Sequence, residues 1–214
     1  PSTLASLYDT AASFVTTFTE FDPYRTMRKG PHVGPLEELP SPLPKGGDGS
    51  YFAYLSADVP ASLEVLRSLG SSDRAGTVYL RGAHPKLASQ VRGWGVNLLD
   101  KPAPMNDALR RSDVIIHHGG VGTSQQAAAA GRPQVLVPWH LEQAYNAAVL
   151  EGCGLAQRWR QGEACHEQIA ALLASAGTLK KVDAFANLVA ARRTPSGIET
   201  LARVCEDLLG MSPR

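Results

Sequence analysis

The sequence predicts a doubly wound α/β domain, in which helices cover both faces of a parallel sheet. Short apolar runs recur after residue 50, segments with helical spacing of apolar residues separate them, and glycines end several segments. The chain has 214 residues, with 43% hydrophobic and 19% charged, which is typical of a globular domain. Ligands of such sheets bind where the strands end, in the βα loops.

The predicted strands are short and rich in β-branched or aromatic residues. The first helix follows from Leu63, Leu66 and Leu69 at helical spacing, with Gly70 as its end, and a later alanine-rich helix ends at Gly131. In chain order, strands are predicted at 51–56, 77–80, 96–99, 113–117 and 134–137, and helices at 61–69, 106–111, 123–130 and 142–150. The remainder is predicted to be mostly helical, with an amphipathic helix at 196–209.

A change in composition marks a domain boundary. Prolines and glycines crowd residues 30–49, which predicts a linker because proline forbids ladder donors and helix interiors. Before the linker, residues 14–18 (Phe-Val-Thr-Thr-Phe) predict one isolated strand without a partner sheet. We therefore expect residues 1–49 to be the tail of a missing N-terminal domain plus a linker, and residues 50–214 to form a domain. The chain begins Pro-Ser-Thr without Met, as expected of a piece of a longer product.

The bulk composition excludes several functions. Lys+Arg at 21 and Asp+Glu at 20 give a net charge of +1, without the broad basic surface that nucleic acid requires. No apolar run approaches the roughly 20 residues that span a bilayer. Cys153, Cys165 and Cys205 fit neither a disulfide framework nor a metal site. We expect them to be buried thiols in a cytoplasmic protein.

The most informative stretch joins residues 113–117 to the helix at 123. Three glycines, Gly119, Gly120 and Gly122, permit positive φ and remove the Cβ atoms that would keep a ligand from the backbone. The N–H groups that begin the next helix favour a phosphate there. Thr123 and His118 can add hydrogen-bond donors to the same anion.

Two alternatives compete with a phosphate loop. The glycines could simply form a tight βα turn with satisfied histidines and no ligand. A dinucleotide loop would need G-x-G-x-x-G, but Gln125 stands where that pattern requires its third glycine. The loop alone does not decide between a phosphate site and a plain turn.

An adjacent acid and amide follow the next predicted strand. Glu142 can accept hydrogen bonds from sugar hydroxyls, whereas Gln143 can both donate and accept. His140 and Trp139 precede them and could line the same sugar pocket. The alternatives are a first-turn glutamate beside a solvated glutamine, and a Trp139 that only packs.

Together these motifs resemble the C-terminal domain of the UDP-glycosyltransferase superfamily, which has the GT-B fold. The family pattern runs from a Pro-Gln loop through His-x-Gly-x-(Gly/Asn)-(Thr/Ser) and Gly-x-Pro to Pro-x-x-x-(Asp/Glu)-Gln. It is matched at residues 103–105, 118–123, 131–133 and 138–143. The strong match covers 102–154, and a weaker one at 14–36 resembles the link between the two domains of the family. The resemblance implies a Rossmann-like domain.

The resemblance also assigns residues to the parts of a nucleotide-sugar donor. It places the diphosphate on His118, Gly119, Gly120, Gly122, Thr123 and Ser56, the nucleoside on Met105 and Gln126, and the sugar on Glu142, Gln143, His140 and Trp139. Gln126 replaces a family carboxylate and Met105 replaces a glutamine, so the base is open. A UDP-sugar is favoured over a dTDP-sugar.

The implied activity is inverting transfer of a hexose to a hydroxylated small molecule or lipid. The catalytic base of the family lies in the N-terminal domain, so no catalytic residue, cofactor or metal is expected in this chain, and the fragment alone should be inactive. Two alternatives remain open. One is a non-catalytic nucleotide-sugar sensor; the other is a GT-B sugar-nucleotide epimerase, which would need several acidic and basic groups around the sugar.

Overall fold

The structure is a computed structural model that describes residues 10, 12–28, 30–192 and 196–210. Its residues form two compact units. The larger unit is Leu39–Arg192, and the smaller one contains the described residues up to Glu38 together with those from 196 onward. The assignment of residues 1–49 to an acceptor domain and linker, and of 50–214 to a donor domain, stays a prediction.

A five-stranded parallel sheet forms the centre of the larger unit, with the strand order β2-β1-β3-β4-β5. The strands are β1 Tyr51–Ser56, β2 Gly76–Arg81, β3 Val114–His117, β4 Gln134–Leu136 and β5 Ala156–Arg158. This confirms the predicted doubly wound α/β fold. The chain reverses its winding direction between β1 and β3, which is the position where such sheets bind ligands.

Helices connect the strands and continue to the C-terminus. In the larger unit they are α1 Pro60–Gly70, α2 Pro85–Gly93, α3 Met105–Arg110, α4 Val121–Ala129, α5 Leu141–Cys153, α6 Cys165–Ala174 and α7 Ala176–Ala191. The smaller unit holds a 3-10 helix, Thr19–Phe21, and α8 Gly197–Leu208. The predicted amphipathic helix at 196–209 is confirmed by α8, which begins with a capping box between Ser196 and Glu199.

Both faces of the sheet are covered, as the continuous apolar strands require. In β1, Ala53 and Leu55 join one buried cluster, whereas Phe52 between them joins the cluster on the opposite face. Successive strand side chains point to opposite faces, so a strand with apolar residues at every position must have a core on each side. The partly buried Trp94 and Trp159 pack against the first cluster.

Two predicted strands are wrong. Residues 14–18 contain only an isolated bridge from Val15 to His32. The partner segment cannot continue this ladder, because Pro31 has no N–H and Gly34 has a φ of 81°. Residues 96–99 likewise make only one bridge, from Leu98 to Val78 of β2, after Gly95 at a φ of 92°.

Two elements were missed. The strand β5 (Ala-Gln-Arg) is too short and polar to show an apolar run. In α2, Val91 is the only fully buried residue and the helix contains few apolar side chains, although Pro85 follows His84 as a helix start. The His84 Nδ1 accepts from the Leu87 N–H at 3.3 Å and caps this helix. The missed elements share one property, a low content of buried side chains.

The cysteines differ from one another. Cys165 is buried, and burial raises the pKa of its thiol to about 12. Cys153 is half-buried and Cys205 is exposed, so the prediction of three buried thiols is wrong for Cys205. Within the described ranges, no helix is long and apolar enough to cross a membrane. No group of three or more metal-ligating side chains occurs there either.

The second half of the predicted linker packs on the larger unit. The buried guanidinium of Arg132 donates to the carbonyls of Leu43 at 3.4 Å and Pro44 at 2.7 Å. The Asp113 carboxylate accepts from the N–H groups of Gly46 at 2.7 Å and Gly49 at 2.9 Å. These contacts explain why the larger unit begins at Leu39, before the end of the Pro/Gly-rich segment.

Candidate functional site

The glycine loop leads directly into the N-terminus of α4. The loop follows β3 and ends at Gly120, the N-cap residue, which makes no side-chain capping hydrogen bond. The first amide bonded within the helix is that of Ser124, which donates to the Gly120 carbonyl at 3.0 Å. The three preceding N–H groups, at 121–123, have no partner inside the helix, as at any helix N-terminus. They can bind an anion.

The two glycines before this helix have different reasons to be glycine. Gly119 has a φ of 88°, and a Cβ there would lie 3.2 Å from the Gln143 carbonyl oxygen. Both its backbone conformation and its neighbour therefore exclude a side chain. Gly120 has an ordinary φ of −65°, and a Cβ there would meet no atom within 4 Å. The space beside the helix N-terminus is thus open.

His118 connects the ends of three strands. Its Nδ1 lies 2.7 Å from the Val137 carbonyl oxygen after β4, and its Nε2 lies 2.9 Å from the Ser56 amide nitrogen at the end of β1. A carbonyl can only accept and an amide N–H can only donate, so Nδ1 carries the proton and the ring is neutral. Burial lowers the pKa of His118, and the charges of Arg81 and His140 lower it further, against the hydrogen bond to Val137.

This geometry qualifies the expected role of His118. To donate to a phosphate oxygen, its Nε2 would have to release the Ser56 amide and bind a proton. In the arrangement observed, His118 instead holds the ends of β1 and β4 beside the glycine loop. Its contact with a diphosphate stays a prediction.

A buried network fixes the shape of the loop. The His117 Nδ1 accepts from the Gly119 N–H at 3.1 Å, and the His117 Nε2 donates to the Gln134 Oε1 at 2.8 Å. The Asn146 Nδ2 donates to the Gly119 carbonyl at 3.0 Å. Both the N–H and the carbonyl of Gly119 are therefore hydrogen bonded by side chains. Gln134 and His117 were not predicted as positioning residues, although the amide of Gln134 within an otherwise apolar strand is a visible signal.

His117 predicts a decline in stability in acid. Burial lowers the pKa of His117 to about 4 from the ordinary 6.5, opposed by its bond to Gln134. Between pH 6.5 and about pH 4, the His117 side chain is therefore protonated in the unfolded chain but neutral in the folded one. Stability should be complete above pH 6.5 and fall towards pH 4, by about 3 kcal/mol from His117 alone. Urea unfolding across this range measures the decline.

The matched variant is His117→Asn, which retains an acceptor for the Gly119 amide but does not titrate. Its decline between pH 6.5 and pH 4 should be shallower, with the remainder due to groups such as His118, whose pKa is also lowered. An equally steep decline in both proteins would contradict the assignment of this titration to His117.

The acid–amide pair lies against the glycine loop. Glu142 and Gln143 belong to the first turn of α5, which begins at Leu141 after the N-cap residue His140. The Gln143 backbone adjoins Gly119, and the Gln143 Oε1 accepts from the Trp139 N–H at 3.1 Å. Glu142 is exposed, and no described residue hydrogen bonds to its carboxylate. The structure thus brings the two predicted motifs together.

The other predicted site residues lie on several elements of the larger unit. Trp139 is 57% exposed, and its ring lies 5.7 Å from that of His140. Met105 begins α3 and packs on the buried cluster that contains Ala127 of α4, while the half-buried Gln126 lies on α4 itself. Ser56 is buried at the end of β1.

Arg81, beside Ser56, was not predicted as a site residue. It ends β2 directly beside Ser56, and its Nη2 lies 3.4 Å from the Ser56 Oγ. An arginine after an apolar strand carries no motif, so its position became visible only through the pairing of β1 with β2.

Fold and site together define a doubly wound α/β domain with an open helix N-terminus where the winding reverses. The chain belongs to the EryCIII-like C-terminal domain family, described as "Erythromycin biosynthesis protein CIII-like, C-terminal domain", which matches residues 63–206. The resemblance to the C-terminal domain of GT-B glycosyltransferases is thereby confirmed.

Several characterised proteins are similar to this chain. Vancomycin aglycone glucosyltransferase of Amycolatopsis orientalis is 30% identical over 168 residues, which are 72% of this chain and 40% of that protein. Glycosyltransferase GtfE of Amycolatopsis orientalis is 32% identical over 116 residues, covering 48% of this chain and 28% of that protein. The UDP-N-acetylglucosamine--N-acetylmuramyl-(pentapeptide) pyrophosphoryl-undecaprenol N-acetylglucosamine transferase of Sorangium cellulosum is 33% identical, covering 71% and 36%. The chain thus spans less than half of the length of these relatives.

Solved structures show the same fold. The calicheamicin glycosyltransferase CalG4 has a TM-score of 0.70 at 18% identity, covering 99% of this chain and 58% of that one. The glycosyltransferase SnogD from Streptomyces nogalater has a TM-score of 0.58 at 27% identity, covering 79% and 47%. VinC, solved in complex with DTDP, has a TM-score of 0.61 at 20% identity, covering 83% and 48%.

Proposed function

We propose that this chain is the donor-binding domain of an inverting glycosyltransferase, which moves a hexose from a UDP-sugar, in preference to a dTDP-sugar, to a hydroxylated small molecule or lipid. One observation carries the proposal: the uncapped N-terminus of α4, with open space at Gly120, adjoins the first turn of α5, where Glu142 and Gln143 lie. A phosphate site and a polyol site therefore meet in one place.

Each part of the donor has residues to bind it. The diphosphate would accept hydrogen bonds from the N–H groups at the start of α4 and from the Thr123 hydroxyl, with Ser56 and His118 on the β1 side. The hexose hydroxyls would bind Glu142 and Gln143, beside His140 and Trp139. The nucleoside would lie along α4, near Gln126 and Met105.

The chemistry follows from where charge develops. As the bond between the sugar and the diphosphate breaks, negative charge grows on the departing oxygen, and the N-terminus of α4 stabilises it. These donors need no metal ion to act on the leaving group. A base must remove the proton of the acceptor hydroxyl, and we assign it to another part of a longer protein. The 214-residue chain should then bind the nucleotide sugar without transferring it.

The names of the relatives support the donor class. One relative is named for UDP-N-acetylglucosamine, another is a glucosyltransferase, and a structural neighbour was solved with DTDP. The epimerase alternative would need several acidic and basic groups around the sugar, and in the first turn of α5 Glu142 is the one acidic residue.

Titration of the chain with UDP, dTDP and their glucose conjugates tests this proposal. UDP should bind more tightly than dTDP, and no turnover should occur with the isolated chain. The variant Glu142→Gln should weaken UDP-glucose binding by about 1–2 kcal/mol, because a charged acceptor for sugar hydroxyls is lost, and should leave UDP binding unchanged.

The matched control is Glu167→Gln, which replaces another exposed first-turn glutamate, on α6. The neighbouring His166 contacts Ser68 near the end of α1, on the side of the sheet where the strands begin. This control should bind both ligands normally. Equal loss of UDP and UDP-glucose in Glu142→Gln would place the sugar elsewhere, and lack of binding by the unaltered chain would refute the proposal.

A further inference from the structure

Arg81 is a cation at the end of the sheet where the strands finish, and the glycine loop lies at the same end. It is the last residue of β2, in register with Ser56 at the end of β1. Ser56 in turn donates its amide to His118, the residue that precedes the loop glycines. Arg81, Ser56 and the start of α4 therefore lie at the same end of the sheet. Arg81 and Ser56 are on one side of the point where the winding reverses, and α4 is on the other.

The guanidinium of Arg81 makes few contacts with the described residues. Among the described residues, it makes one hydrogen bond, from Nη2 to the Ser56 hydroxyl at a long 3.4 Å, although a guanidinium carries five donors. No carboxylate among the described residues forms an ion pair with it, whereas Arg28, Arg92, Arg158 and Arg160 each have one. Asp58 shares the Ser56 hydroxyl, also at 3.4 Å, but does not pair with Arg81.

The charge of Arg81 already acts on the site. It contributes to the lowered pKa of His118 and so favours the neutral ring that accepts the Ser56 amide. Ser56 contacts both Arg81 and His118, through its hydroxyl and its amide respectively, so the guanidinium lies near this ring. An exposed cation without a carboxylate partner, two strands from the loop that leads into α4, is a typical partner for phosphate oxygens, since a guanidinium binds two of them at once.

We propose that Arg81 binds the diphosphate of the nucleotide from the β1 side, opposite the N-terminus of α4, and stabilises its charge as the sugar departs. This inference rests on the proposed function. It adds a side-chain cation, on the other side of the winding reversal, to the backbone donors of α4 that the proposed function assigns to the diphosphate.

Affinities for uridine, UMP and UDP, measured by calorimetry, test the inference. In Arg81→Gln, UDP binding should weaken by about 10-fold or more, because a charge-assisted hydrogen bond is lost, while uridine binding should be unchanged. Arg81→Lys keeps the charge but cannot bind two oxygens at once, so its UDP affinity should lie between those of the unaltered chain and Arg81→Gln. Thermal unfolding of each variant checks that the domain remains folded.

The matched control is Arg110→Gln. Arg110 is an exposed arginine at the end of α3, on the side of the sheet where the strands begin. This variant makes the same change of charge and should not alter UDP affinity. The inference about Arg81 is wrong if the unaltered chain binds UDP and Arg81→Gln binds it with equal affinity. It is also wrong if the affinities of Arg81→Gln for uridine and for UDP fall by the same factor. If the unaltered chain does not bind UDP, the proposed function and this inference both fail.

Discussion

Replacing Arg132 with alanine should destabilise the larger unit by about 3–5 kcal/mol, the largest effect expected of a single substitution outside the apolar core. Arg132 is 1% exposed, and it donates to the carbonyls of Leu43 and Pro44 and, from Nε at 2.9 Å, to that of Leu109. Alanine would leave these acceptors without their donor and would create a cavity.

Urea unfolding measures this loss, and limited proteolysis reports its location. The segment at 43–44 should be cleaved faster in Arg132→Ala, because two of the three lost bonds attach it to the domain. Arg110→Ala, at an exposed position next to Leu109, is the control and should change stability by less than about 0.5 kcal/mol. A loss below about 1 kcal/mol in Arg132→Ala would show that the bound linker contributes little.

Gly120→Asp should retain the fold and lose the ligand. The backbone of Gly120, with φ −65° and ψ 141°, suits any N-cap residue, and aspartate is among the best caps. Its carboxylate would bond the N–H groups that are proposed to hold the diphosphate and would repel the phosphates. We expect unchanged or slightly higher stability and UDP affinity reduced by about 2–3 kcal/mol, roughly 100-fold.

Two variants separate the causes of this loss. Gly120→Asn caps the helix without a charge and should weaken UDP binding less than aspartate does. Gly93→Asp, at the end of α2, where a Cβ also meets no atom within 4 Å, adds the same charge away from the loop and should bind UDP normally. Normal binding by Gly120→Asp would place the phosphates elsewhere.

The sequence predicted those parts of the fold that are coded by burial. The strands β1, β3 and β4 are apolar at nearly every position, because each is covered on both faces. The strand β5 escaped prediction because a three-residue edge strand is set by pairing with β4 rather than by its own composition. The false strand at 14–18 shows the reverse, since a β-branched run cannot form a ladder without a partner segment that continues.

The candidate site was predicted in its motifs but not in its connections. The spacing of the glycine loop and the acid–amide pair was enough to place them together, because α4 and α5 follow neighbouring strands. The tautomer of His118 depends on Ser56 and Val137, which lie 62 and 19 residues away in the chain. Arg81 joins the site only through strand pairing. Contacts over such separations follow from the folded topology and leave no local pattern.

A crystal structure of this chain with bound UDP tests the central claim most directly. We expect the diphosphate to accept hydrogen bonds from the first-turn N–H groups of α4, with a phosphate oxygen close to the position where a Gly120 side chain would stand. A nucleotide bound away from this helix, with the N-terminus of α4 facing only solvent, would contradict the account.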